Sequence, residues 1–435
     1  MSGPITSPLT RRALLGLTAA AAGALATGCS GGKNSGSATE GAVRVGWYGG
    51  DPVHAAMKKA LDAYHGKHSG VTISTEFSPF DGYWDKLATQ TAGRNAPDVY
   101  RMSMSYFADY ADRGALLDLS DQLGSAIKTA DLDADVAASG KIDDGTYGVG
   151  QSSISHAVFS RPAAWQKVGA EVSTADWTWE SFAEAAKGYA GEAGKGMYGT
   201  PDVGGNIQIF EPYVRQRGRE IFTPDGAGLA VQTEDLEEWF AYWQDLRSSK
   251  AAPPSSITAE TGDFATSLLA TGKSPLSFGW VQQITFYAPL VDDPLEVAAL
   301  PSPEAGSLSG QFLKALDFWV VSSTSKNQQG ALALVDYLIN DPGAIKTLGL
   351  TLGVPPSKAG RDQLGSDPDS PEGKAIAYVE KIKDKVGKPP AAWPKGYGEI
   401  QELFGKLNED VGFGKSDPAK AAAQFMTEAK QSLNG

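Results

Sequence analysis

The sequence predicts an α/β protein with an open, mostly parallel sheet and more than one domain. Short runs of β-branched and aromatic residues alternate with helical patterns from residue 42 onward. Parallel sheets with crossover helices require that order. The 435 residues exceed what a single core usually organises, so two to three domains are expected. There is one cysteine, so packed cores rather than disulfides must hold the fold.

Residues 42–47 read as the first strand, running into Tyr48-Gly-Gly-Asp-Pro. A helix follows, with Asp51 expected as N-cap and Pro52 at its first position. Residues 71–77 form the second strand, and Asp81 is expected to cap a helix on which Tyr83, Trp84, Leu87 and Thr91 recur at helical spacing. Residues 95–102 turn into a third strand. Residues 145–150 suit a further strand, and the Ser-punctuated run 151–157 suits a chain crossing between domains. Helices are expected over 165–169 and 178–189, a strand-to-loop unit at 197–201, and a helix after 206–210. Along 236–246, Trp239, Phe240 and Trp243 share one face and read as core. Residues 276–280 and 317–322 are strands. Residues 328–338, 373–385, 399–407 and 417–433 are helices, the first ended by Asn340-Asp341-Pro342.

The lone cysteine, Cys29, closes an apolar, alanine-rich run preceded by Arg11 and Arg12. A basic start, about fifteen apolar residues and small residues before the cut describe a secretory signal over 1–28. The stretch from Leu25 to Cys29 resembles the lipobox of bacterial lipoproteins, whose cysteine is acylated. The arginine pair resembles a twin-arginine signal. Residues 29–41 are rich in Gly, Ser and Thr and read as a flexible tether.

The formal charge of −13 becomes about −15 without the two signal arginines. Such a surface repels nucleic acid and anionic lipid, so membrane attachment is expected through the anchor alone. Catalytic and metal motifs are weak. Gly272-Lys273-Ser274 ends like a phosphate loop, but Ser267 stands where its first glycine belongs. Ser323-Thr-Ser-Lys326 lacks its companion motifs. His65 and His68 have no third histidine or cysteine beside them. No cofactor and no metal are expected. Carboxylates are plentiful, so a glycosidase pair stays open as an alternative.

Binding chemistry is better represented. Ligands of open α/β sheets sit beyond the carboxyl ends of the strands, and aromatic and small polar residues gather there. The candidates are Trp47, Tyr48 and Asp51; Phe80 and Tyr83; Met102, Ser103, Ser105 and Tyr106; Trp280 with Gln282; and Trp393 with Tyr397. Ser153, Asn206, Gln208 and Asp317 add polar groups. A sugar offers an apolar C–H face for rings and a hydroxyl rim for polar side chains.

These features resemble the solute-binding proteins of ABC importers, in the carbohydrate branch that includes maltose-binding proteins. The resemblance rests on Ala92-Gly93 to Val99, Phe107 to Leu119, Asp144 to Val149, Ala331 to Ile339 and Tyr397 to Ile400, in that order. It implies a two-lobed periplasmic-binding-protein-like fold (type II), ligand in the interlobe cleft, and several hinge crossings. Lobe one would take 42–152 plus 318–354, and lobe two 157–315 plus 359–435. Met102, Ser105 and Tyr106 stand where the family's cleft residues follow Pro-Asp-Val, Trp280 where a tryptophan stacks on sugar, and Trp393 or Tyr397 at the late aromatic. It also implies a monomer that hands a carbohydrate to permease subunits without catalysis. Gly150, Arg161 and Ser105 depart from the pattern and leave the sugar open. A polyol, an organic anion or a peptide is the alternative solute, with Arg101 and Arg161 the residues that would favour an anion.

Overall fold

The computed structural model describes residues 40–170, 176–365 and 367–433. The signal, Cys29 and the tether up to residue 39 lie outside them. Two larger sheets and a two-stranded hairpin, Lys141–Ile142 with Gly145–Thr146, organise the described chain. The first runs Val71–Ser78, Gly41–Tyr48, Val99–Ser103, Asp317–Val321, Val149–Gly150. Its first three strands are parallel, and Asp317–Val321 enters antiparallel to both neighbours. Tyr48 pairs with Ser78, and Asp317 with Ser103, so these residues share one edge of the sheet.

Strand alternation decides which side each residue serves. Val43, Val45 and Trp47 are fully buried in one core with Met57, Leu61, Leu334 and Val335 of the covering helices Asp51–Lys67 and Gln328–Asn340. Tyr48, Tyr100, Met102 and Phe318 belong to the core on the other face.

The second sheet runs Leu276–Trp280, His156–Ser160, Glu296–Ala298, and both pairings are antiparallel. The parallel expectation therefore holds only for the first three strands of the first sheet. More than a hundred residues, including five helices, separate the first two of these strands, so local sequence carries no signal for their direction. Trp239, Phe240 and Trp243 of Thr233–Ser248 are fully buried, as their spacing requires.

Several local expectations shift. Gly50, not Asp51, is the first helix's N-cap, leaving Asp51 exposed in its first turn. The next helix, Phe80–Ala92, starts ahead of Asp81 with Pro79 in the cap position. Residues 145–150 divide between a hairpin strand, Gly145–Thr146, and Val149–Gly150. Residues 197–201 are loop. Asn206 caps the helix Ile207–Arg215 by accepting from the backbone N–H of Gln208 and Ile209, so 206–210 is already the helix start. His65 Nδ1 bonds the Val71 carbonyl at 2.7 Å and His68 packs on Tyr64, a structural use for both histidines.

Three chain segments pass side by side between the sheets. Ile154 and Lys314 exchange backbone hydrogen bonds at 3.1 Å, and Ser153 N–H donates to the Val354 carbonyl at 2.8 Å. Gly353 has φ +116°, and a Cβ there would lie 2.3 Å from Ser152 Cβ. Only glycine allows the third segment so close to the first.

Candidate ligand-binding cleft

The edge of the first sheet builds one wall. Arg101 is buried and donates to Asp317 Oδ2 at 2.8 Å and to the Tyr48 carbonyl at 3.0 Å. Its guanidinium also lies 4.3 Å from the Tyr48 ring centroid. Tyr48 hydroxyl donates to the other Asp317 oxygen. Burial, then the Asp317 charge, push the Tyr48 hydroxyl well above the usual phenol range, so it stays a donor. Tyr83 hydroxyl bonds the Arg101 carbonyl at 2.9 Å. Rings complete the wall: Phe80, Tyr83 and Trp84 pack around Tyr48 with centroids 5.1–5.4 Å away, and Tyr106 stacks on Trp84 at 4.1 Å. Phe80 is 39% exposed, a large apolar surface for a ligand to cover. Ser103 caps the helix Met104–Asp112, its Oγ accepting from Ser105 N–H.

The second wall comes from the Ile207–Arg215 helix, the end of Leu276–Trp280 and the helix Tyr397–Gly412. Trp280 packs on His156 with centroids 3.8 Å apart and donates through Nε1 to Gln208 Oε1 at 3.3 Å. Gln208 Nε2 donates to Gln401, and Tyr397 hydroxyl bonds Gln208 as well. Trp393 stacks on Tyr397 at 4.1 Å, nearly parallel, and donates to Glu211 Oε1 at 3.1 Å. Burial drives the His156 imidazole well below its usual range, with the Lys314 charge adding to it, so the ring is neutral.

The walls touch at one end. A Cβ on Gly398 would lie 3.2 Å from the Tyr106 ring, and Lys395 Nζ lies 3.8 Å from Asp112 Oδ2. A groove of about 450 Å³ continues from Asn206 and Gln208 along Gln401, Asn408 and Glu409.

The structure thus gathers Tyr48, Phe80, Tyr83, Tyr106 and Asp317 on one side and Gln208, Trp280, Trp393 and Tyr397 on the other. It leaves others out. Trp47 points into the opposite core, fully buried, with Nε1 bonded to His54 and its ring on Phe77. Met102 and Ser153 are fully buried too, Met102 in a packed core and Ser153 in the crossing. Trp393 is covered on Tyr397's side, with Lys314 Nζ also 4.4 Å from its centroid, so it supports the wall.

Trp84, His156, Glu211, Lys314 and Gln401 were not among the sequence candidates. Glu211 carried a usable signal, being three residues after Gln208 on the same helix face. Lys314 carried none.

Two α/β lobes, three crossings and an aromatic, hydrogen-bonding cleft define a solute-binding architecture. Residues 59–377 match the family of bacterial extracellular solute-binding proteins. The chain belongs to that family. An extracellular solute-binding protein family 1 structure from Alicyclobacillus acidocaldarius is 28% identical, with a TM-score of 0.68, over 92% of this chain and all of that one. An ABC substrate-binding protein from Listeria monocytogenes, in complex with cycloalternan, superposes with a TM-score of 0.79 at 19% identity, over 91% of this chain and 99% of that one. An uncharacterized lipoprotein of Streptomyces antibioticus is 24% identical over 67% of this chain, which spans 65% of that relative's length. Among the described residues no helix is long and apolar enough to cross a membrane.

Proposed function

We propose that the chain binds a carbohydrate between its lobes and delivers it to an ABC permease. Lobe one would comprise 42–152 and 318–354, lobe two 157–315 and 359–435, and closure would draw the walls together on the ligand. The observation that carries this reading is the pairing of a ring-lined and an amide-lined wall, Phe80 and Tyr106 opposite Trp280 and Gln208, with Tyr48 and Tyr397 buried against them as support. The Listeria protein of the same fold is in complex with cycloalternan, which supports the reading. Arg101 and Arg161, the cations that would draw an anion, are engaged by Asp317 and Asp293. A glycosidase needs two free facing carboxylates, whereas Asp317 is held by Arg101 and Tyr48.

The direct test is calorimetric titration of the mature chain with glucose, maltose, maltotriose, galactobiose, raffinose, sorbitol and digalacturonic acid. Silence across the panel rejects the reading, and turnover of any sugar replaces it with an enzyme. Trp280→Ala is expected to weaken the best sugar by about 1–3 kcal/mol; unchanged affinity would take that ring out of the site.

Anchoring by Cys29 completes the proposal. One acyl chain binds membranes only marginally, so a multiply acylated cysteine is expected. The tether would then keep the binder near its permease at high local concentration. Cys29→Ala should move the protein from the membrane fraction to the medium or periplasm. A variant still fully membrane-bound would refute the anchor.

A further inference from the structure

Past Gln208 the cleft runs on into the groove of about 450 Å³, a volume within the roughly 300–1,000 Å³ of small-ligand sites. Gln208 belongs to both. Its Oε1 accepts from Trp280 Nε1, and its Nε2 donates to Gln401 inside the groove. The groove is lined by residues from 202–208, 255–259 and 401–409, all within the second lobe of the proposed division. Lobe closure would therefore leave it unchanged.

Three amides set its chemistry. Asn206 Oδ1 accepts from Gln208 N–H at 2.9 Å and Ile209 N–H at 3.4 Å. Gln401 Oε1 accepts from Gln208 at 3.2 Å, and Asn408 Oδ1 accepts from Arg247 at 3.3 Å. In each case the fold occupies the carbonyl oxygen and leaves the NH2 group as a donor. Asn408 is only 6% exposed, and a largely buried amide with an idle NH2 calls for an acceptor. No lysine or arginine lines the groove, whereas Asp202 and Glu409 do. Arg247 neutralises Asp202 at 2.6 Å, and Glu409 is exposed. Such a lining suits a neutral, oxygen-rich ligand and disfavours an anion. Glycines keep it open: a Cβ on Gly205 would lie 3.3 Å from Gly405 Cα.

We infer that this groove is a second subsite, taking the further units of a neutral oligosaccharide whose first ring lies against Trp280. Ring and hydroxyl oxygens of those units would accept from Asn206, Gln401 and Asn408. The preferred ligand is then an oligosaccharide rather than a monosaccharide. The inference rests on the carbohydrate reading.

Calorimetric titration of the mature chain with sugars of growing length tests it. The series are glucose, maltose and maltotriose; glucose, cellobiose and cellotriose; and galactose, galactobiose and galactotriose. In at least one series the trisaccharide should bind at least 30-fold more tightly than the monosaccharide. Gly405→Phe fills the groove, since a Cβ there meets only the Gly205 carbonyl, at 3.6 Å. It should weaken the trisaccharide at least tenfold and the monosaccharide less than threefold. Ala259→Trp, at an exposed position on a separate segment of the lining, should do the same and keeps the test decisive if Gly405→Phe fails to fold. Affinity that does not rise with chain length overturns the inference and leaves the carbohydrate reading standing. So does a rise that the folded variants leave intact, or a loss equal at every chain length. No binding of any sugar sinks both.

Discussion

Replacing Arg101 by methionine is expected to destabilise the protein by about 3–5 kcal/mol, because it strips the partner from a largely buried carboxylate. Asp317 would keep only the Tyr48 hydroxyl, and the Tyr48 carbonyl would lose its donor. Urea unfolding of the first lobe's transition measures the loss. The same change should weaken sugar binding more than tenfold, since Arg101 positions both Tyr48 and Asp317 at the mouth of the first wall. Arg101→Met/Asp317→Leu separates the two effects. It should recover most of the stability, as apolar replacement of a buried pair often does, and recover none of the affinity. A single-variant loss below about 1 kcal/mol, the range of exposed ion pairs, would mean that solvent already screens the pair.

The second large effect is expected at Arg361, 1% exposed beside the third crossing. Its guanidinium grips Asp133 with two bonds, at 2.7 and 3.0 Å, and donates to Glu380 at 2.6 Å and to the Pro355 carbonyl at 3.0 Å. Asp133 N–H bonds the Pro356 carbonyl, and Glu380 belongs to Pro371–Ile382. One side chain thus ties both ends of the crossing. Arg361→Met should cost about 3 kcal/mol, the low end for a broken buried pair because both carboxylates keep some solvent. Amide exchange at Ser153 should accelerate with it, as the crossing opens more often. Protection equal to the wild type would place the hinge's stability elsewhere.

Much of this architecture was legible in advance. The alternation before residue 103 specified three parallel strands, because each of the first two strands is followed at once by a helix that returns the chain to the same end of the sheet. Tyr48, Phe80, Tyr83 and Tyr106, singled out by the rule about strand ends, do pack together in one cluster. The rule failed for Trp47, one residue before Tyr48, because a strand's neighbours face opposite sides and composition does not say which side is core. Trp393 was recognised as part of the late aromatic pair, but its place between Tyr397 and Lys314 was not readable. Arg101 was marked as a possible anion ligand until Asp317, 216 residues away, proved to hold it.

Sequence by itself determined what is local: the order of most strands and helices and the aromatic faces of the helices, while the caps expected at Asp51 and Asp81 moved to Gly50 and Pro79. Tertiary structure alone decided what charges and rings do. The antiparallel entry of Asp317–Val321, the partner of Arg101 and the bond from Trp393 to Glu211 each join residues far apart in the chain. Burial then converts those meetings into chemistry, because a charge removed from water must find its partner wherever the chain has folded it.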